Sequence, residues 1–451
     1  MIQVRMFPVS HLLRGVFAAA FVMASLCAAS PARAIDIKEV KSPKGIKAWL
    51  IQDSSIPMVS MEFAFHGGTA LDPKGKEGVT ELASGLLDEG AGPYSAAQFQ
   101  KQLEENSISL RFRASLDLFS GSLRSLNRDR DQAIDLLRLA LTQPHFKAEP
   151  MARVKGQILA QVSRERERPR NIASRVWHET AFGDHPYGRD MSGAEKEIAA
   201  ITPQDLKTFI KTRFGRDNLV VGVVGDISET ELGALLDRAF GDLPAKASAW
   251  VVPPARVHSK GKVVVIERPI PQTVVQFGQT GIALDDPDYY AAVVLNYIMG
   301  GSGLTSRLAD EVREKRGLAY SIYTRLVNYD GAALLMGWVA TRNDRVKETI
   351  DIIRKEWARI ASTPISQGEL ADAKSYITGS YFTQFNSTQR IAGLLLGLQV
   401  DKLGIDYLTR RNALIDAVTA ADIQRVARRL MKPEELTVVL VGEPKGVTAT
   451  P

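Results

Sequence analysis

Cysteine is almost missing from this 451-residue chain: Cys27 is the only one, and it lies in an N-terminal apolar stretch. Beyond that stretch neither disulfide nor thiol chemistry is available, so stability in an oxidising compartment rests on core packing. Histidine is scarce as well, with six residues. Downstream of position 34 they are His66, His145, His178, His185 and His258, and no two are spaced three or four apart to share a helix face. Long hydrophobic runs are missing after residue 34, which excludes a later helix of the roughly 20 apolar residues that a membrane span needs. Blocks of one charge are missing too. "RERERPR" (164–170) mixes signs and reads as a solvated helix end, which argues against a nucleic-acid partner. The formal charge of +6 includes Arg5, Arg14 and Arg33, leaving the remainder only mildly basic. What is present, 45% hydrophobic and 24% charged residues, is the balance of a globular protein, and the length calls for two or more domains.

The first 34 residues stand apart from the fold. Arg5 and Arg14 precede "GVFAAAFVMASLCAAS", and Ala32-Arg33-Ala34 supplies small residues where a signal peptidase would cut, after Ala34. The competing reading is a membrane anchor, for which the stretch is short and alanine-rich. Leu26 is too bulky for the position before a lipidated Cys27. The expectation is a periplasmic or secreted protein without stable membrane insertion.

An internal repeat organises the rest. "ITPQDLKTFIKTRFGRDNLVVGVVGD" (201–226) lies without gaps over "VTAADIQRVARRLMKPEELTVVLVGE" (418–443), at an offset of 217. Thr202/Thr419 and Asp205/Asp422 coincide, as do Leu219/Leu436, Val221/Val438, Val224/Val441 and Gly225/Gly442. Each copy predicts an N-capped helix followed by a buried strand. Between the copies, Pro253-Pro254 within residues 243–262 forbids helix and marks a linker. The predicted organisation is a signal peptide (1–34), a first domain (35–242), the linker (243–262) and a second domain (263–451). Strand-like "VSMEFAF" (59–65), "VVVIERP" (263–269) and "TVVQFG" (273–278), with hairpin alternation across 107–126, predict α+β in two tandem copies, each a mixed or antiparallel sheet covered by helices.

Two segments carry a family resemblance. "HGGTALDPKGKEGVTELASGLLDEGAG" (66–92) and "GGSGLTSRLADEVREKRGLAYSIYT" (300–324), with "HPYG" (185–188) between them, resemble the marker segments of the M16 zinc peptidases, the pitrilysin-like or inverzincin group. The resemblance implies two domains closing as a clamshell. It also implies H-x-x-E-H on the first helix, with two zinc-ligating histidines and a glutamate base. Those positions correspond here to Glu81, Leu82, Ala83, Ser84 and Gly85, so both imidazoles and the base are missing. The third ligand position falls on Gln161, whose amide is a poor ligand, or, in a shifted alignment, on Glu165 one turn on. Apart from the family, residues 77–90 read as a buried helix with Val79, Leu82, Ala83 and Leu86 on one face.

The second segment keeps more. Arg313 ends the helical run "LTSRLADEVRE", Gly317 allows a turn, and "LAYSIYT" alternates as a strand that carries Tyr320. The resemblance implies that this arginine and tyrosine bind the peptide backbone and stabilise the tetrahedral intermediate. "MGGSGLTSRL" (299–308) lacks a phosphate-loop lysine and predicts a tight turn into a helix capped by Thr305 or Ser306. In the family's noncatalytic subunits a glycine-rich loop here is associated with substrate handling. The leading expectation is therefore the noncatalytic, peptide-binding subunit of a heteromeric exported peptidase. No cofactor is expected in this chain; zinc is expected in a partner that carries H-x-x-E-H. The alternatives are a non-hydrolytic peptide-binding or structural protein and, less favoured by the residues, an autonomous peptidase with an unrecognised metal site.

Overall fold

Alternating apolar residues from 38 to 126 build most of one sheet, and the Val-rich run after residue 218 is threaded into its middle. The computed structural model describes residues 36–190, 193–248, 251–258, 261–301 and 305–450. The segment read as an export signal lies outside the described residues. The first sheet contains β1 (Lys38–Lys41), β2 (Lys47–Gln52), β3 (Met58–His66), β4 (Ser109–Ala114), β5 (Leu118–Leu126) and β6 (Leu219–Gly225). The second contains β7 (Val263–Glu267), β8 (Gln272–Thr280), β9 (Ile322–Tyr329), β10 (Ala332–Arg342) and β11 (Thr437–Gly442). Their orders are β1-β2-β6-β3-β5-β4 and β7-β11-β8-β10-β9. Without the extra edge strand β1 the two follow one plan. The last strand lies parallel to the first (β2 with β6, β7 with β11) and every other neighbouring pair is antiparallel.

The helices of the first half are α1 (Val79–Ser84), α2 (Ala96–Glu105), α3 (Arg130–Thr142), α4 (Ala148–Glu167), α5 (Pro169–Phe182), α6 (Glu195–Ala200), α7 (Pro203–Arg213) and α8 (Glu229–Phe240). Those of the second are α9 (Tyr289–Asn296), α10 (Val346–Ser362), α11 (Gln367–Tyr381), α12 (Thr388–Val400), α13 (Tyr407–Asp416) and α14 (Ala420–Leu430). The repeat is reproduced in detail. Thr202 and Thr419 cap α7 and α14, each in a reciprocal capping box with Asp205 or Asp422. Both boxes lead into a buried strand, β6 and β11.

Each sheet is covered on both faces, and one cover comes from the other half. In β11, Val438 and Leu440 join the core of the second half, while Val439 and Val441 point the opposite way, into a cluster with Ile172, Trp177 and Phe182. Those three side chains belong to α5, a helix of the first half. Such two-sided burial explains why the strand reads as a continuous apolar run instead of alternating. Reciprocally, α12 of the second half lies on β3 and β6. Gly222 in β6 permits this approach: a Cβ there would stand 2.6 Å from the Ala392 carbonyl oxygen. Ser60 and Thr388 hydroxyls bond at 2.8 Å, and the Gln399 amide donates to the Val221 carbonyl at 2.9 Å. With helices exchanged, residues 37–451 form one compact unit. Residues 251–258 have no regular structure but are pinned to both halves: Ala255 N–H donates to Gly331 at 2.7 Å and His258 N–H to Ala181 at 2.8 Å. No helix among the described residues is long and apolar enough to cross a membrane.

Candidate functional site

The predicted helix over 77–90 is shorter than its apolar spacing suggests. α1 stops at Ser84, and Leu86 and Leu87 are buried from the irregular turn that follows. Gly85 forms its C-terminal cap, and the next N–H, that of Leu86, closes a tighter three-residue turn to Ala83 at 3.0 Å. The start of α1 is held by Asp72, a buried carboxylate that accepts from Gly78 N–H at 2.9 Å and from the Thr80 hydroxyl. Burial is the main cause that raises the Asp72 pKa to about 6 against those hydrogen bonds.

The residues in the degenerate motif do not fit a catalytic zinc. Ser84 spends its hydroxyl on the Glu81 carbonyl at 2.8 Å. At Gly85 a Cβ would lie 2.9 Å from Val154 Cγ1 of α4, so the space beside the helix is already filled by the neighbouring core. Glu81 is pushed above the usual carboxylate range, first by burial and then by the charge of Glu165. Glu165, one turn on from Gln161 in α4, is the neighbouring carboxylate whose charge adds to that shift. Gln161 is exposed and donates its amide to Glu165 at 3.0 Å. Two carboxylates without an imidazole fall short of the three protein ligands of a catalytic zinc site. Three of the histidines are engaged elsewhere: His145 with the Gly92 carbonyl at 2.8 Å, His178 with Ser174 and Tyr329, and His185 with the Pro253 carbonyl at 3.0 Å.

In the second half, Arg313 lies in a π-helical segment, Ala309–Glu314. The Ser306 hydroxyl, three residues ahead of it, accepts from Ala309 N–H at 3.3 Å, while Leu308 at the N-cap makes no side-chain cap bond. Gly317 adopts φ +58°, as the turn required. Tyr320 is not on a strand: it sits in a bend before β9, which starts at Ile322. The alternation of "LAYSIYT" predicted a longer strand, but the chain is still turning at Gly317 and gains ladder partners only from Ile322. This leaves Tyr320 86% exposed, with the Arg313 guanidinium 5.3 Å from its ring centroid. The ion-pair partner of Arg313 among the described residues is the adjacent Glu314, at 3.4 Å through Nε, while Nη1 has no acceptor among them. A cationic donor and an exposed phenol therefore stand together.

Both halves match known family models. The family described as insulinase (peptidase family M16) matches residues 47–195, and the one described as peptidase M16 inactive domain matches residues 200–377. The chain belongs to the M16 peptidase family. The M16 relatives bear names of both kinds. The non-peptidase homologue YmxG of Helicobacter pylori is 28% identical over 326 residues, covering 72% of this chain and 75% of that protein. An uncharacterised zinc protease of Streptomyces coelicolor is 25% identical over 404 residues, covering 88% and 87%. Among solved structures, the peptidase M16 inactive domain from Pseudomonas fluorescens superposes with a TM-score of 0.84 at 27% identity, covering 92% of this chain and all of that one. This chain has the M16 architecture, and its sequence contains no H-x-x-E-H.

Within that architecture, "HPYG" has a role that its residues alone did not disclose. The fully buried Tyr187 donates its hydroxyl to Asp117 at 2.8 Å and accepts from Gly331 N–H at 2.9 Å. Asp117 also accepts from Asp330 N–H at 3.1 Å. The motif thus ties the first half to the β9–β10 hairpin of the second. Its only signal in the sequence is a tyrosine between residues that favour turns.

Proposed function

We propose that this chain is the noncatalytic, substrate-binding subunit of an exported, heteromeric M16-type zinc peptidase. One observation carries the reading: the metal-site positions are occupied by Glu81, Ser84 and Gly85, while Arg313 and the exposed Tyr320 remain paired. Such a pair has no chemistry to assist within its own chain. Placed against a partner that supplies H-x-x-E-H and the zinc, the guanidinium and phenol would donate to a peptide carbonyl oxygen as negative charge develops there. Export rests on the N-terminal signal pattern.

The test is peptide hydrolysis by the purified chain and by a candidate H-x-x-E-H partner, separately and mixed, with metal analysis of each. Activity is expected in the mixture and zinc in the partner. Arg313→Ala or Tyr320→Phe should lower kcat on the order of 10²-fold, the scale of losing one transition-state donor. Zinc and hydrolysis in this chain alone would sink the proposal. A mixture indifferent to Arg313→Ala would instead leave the chain a scaffold.

A further inference from the structure

A cavity of about 420 Å³ lies between α4, α5 and the β9–β10 hairpin, away from Arg313 and Tyr320 in the sequence and within the usual size range of small-ligand sites. Its floor is apolar, formed by Leu116, Val162 and Ile172. One wall is aromatic, with Tyr187, Tyr329 and His178. The imidazole of His178 is engaged through both nitrogens, with the Ser174 carbonyl at 2.8 Å and the Tyr329 hydroxyl at 3.1 Å. Burial lowers its pKa, so near neutral pH this wall adds no charge.

The rim carries Arg166, Arg175 and Arg189 together with Glu165 and Asp190, and its cations differ in how far they are committed. Arg166 is taken up by Asp190 at 2.6 Å and the Gly193 carbonyl at 3.3 Å. Arg175 has only a distant ion pair with Glu179, at 3.8 Å. Arg189 has no side-chain partner among the described residues, although it is partly buried. Two guanidiniums available beside an apolar floor call for a ligand with a carboxylate and an apolar group close together. A free inorganic anion would leave the floor unfilled. An internal Asp or Glu would bring a carboxylate without an apolar side chain on the same residue. The C-terminal residue of a peptide, when apolar, brings both.

We infer that this cavity binds the C-terminal residue of a peptide, with its side chain on the Leu116–Val162–Ile172 floor and its carboxylate on Arg175 and Arg189. This rests on the peptide-binding part of the proposed function and needs neither the partner nor its zinc. The chain would then grip peptides by their free end, the end that every cleavage renews.

Fluorescence anisotropy of the purified chain with a fluorescein-labelled hexapeptide ending in leucine tests the site, using the free acid and its C-terminal amide. The acid should bind at least about 10-fold more tightly than the amide, the scale of losing a charge-assisted pair. Arg189→Gln and Arg175→Gln should each weaken the acid about as much while leaving the amide and the unfolding midpoint unchanged. A hexapeptide ending in glycine should bind more weakly than the leucine peptide. Equal binding of acid and amide, no saturable binding of either, or indifference to Arg189→Gln would each overturn the assignment. So would full displacement of the leucine peptide by acetate at the concentration of peptide needed for displacement, which would indicate a plain anion site. Because no partner is present, these failures leave the heteromer reading to the hydrolysis assay, and failure of that assay leaves this site untouched.

Discussion

Tyr187 joins the two halves through a single hydroxyl, and its loss should be measurable. Tyr187→Phe keeps the ring packing but strips Asp117 of a donor and Gly331 N–H of its acceptor. A buried group left unpaired costs about 1–3 kcal/mol, so the urea midpoint should fall accordingly. An unchanged midpoint would remove this hydroxyl from the energetics of the interface. Asp72 makes the opposite kind of contribution. Its pKa is raised to about 6, mainly by burial, so the folded state holds the proton more tightly than the unfolded chain. Stability from this group is therefore present below its unfolded pKa and is lost as pH rises through about 6. Asp72→Asn, which cannot ionise, should flatten the stability profile between about pH 4 and 6 relative to the parent. An identical profile would contradict it. At Tyr320, 86% exposed, Phe should shift stability by no more than about 0.5 kcal/mol, which keeps its effect on hydrolysis interpretable.

Among elements, α5 and α12 have the largest consequences because each seals a sheet that its own half leaves open. Trp177 of α5 is fully buried against the second sheet and donates its indole N–H to the Thr437 carbonyl at 3.3 Å. Trp177→Ala should cost about 3–5 kcal/mol by calorimetry. Gly222→Ala tests the other crossing, since its Cβ must displace α12 backbone, and should cost about 1–3 kcal/mol. A neutral Gly222→Ala would mean that α12 rides loosely on β6. The elements differed in how plainly the sequence announced them. The Thr202 and Thr419 caps were legible because a capping box is local: donor and acceptor lie within three residues. The early end of α1 at Ser84 was not, because Leu86 and Leu87 are equally apolar in a buried turn. Gln161 and Glu165 could not be separated either. They lie about one helical turn apart, and only the folded state shows that the charge of Glu165 reaches Glu81.

For the molecule as a whole, helix exchange should make residues 37–451 unfold as one cooperative body. Differential scanning calorimetry should give a single transition. Residues 37–242 expressed alone should expose the β3–β6 face that α12 covers, and should aggregate or bind a hydrophobic dye. Two resolved transitions, or a soluble first half with native-like dispersion in its spectra, would show that the exchange is dispensable.

The sequence by itself determined that the chain is a duplication, that each copy is α+β, and that it contains no H-x-x-E-H. Those properties are written in local periodicity, capping and residue identity, which need no knowledge of what packs against what. The tertiary structure alone decided that each sheet is completed by a helix from the other half, that Tyr187 spans the halves, and that Arg175 and Arg189 border a cavity with an apolar floor. Each of these joins residues distant in the chain, and their partners are selected by shape and desolvation in the folded state, not by spacing along the sequence.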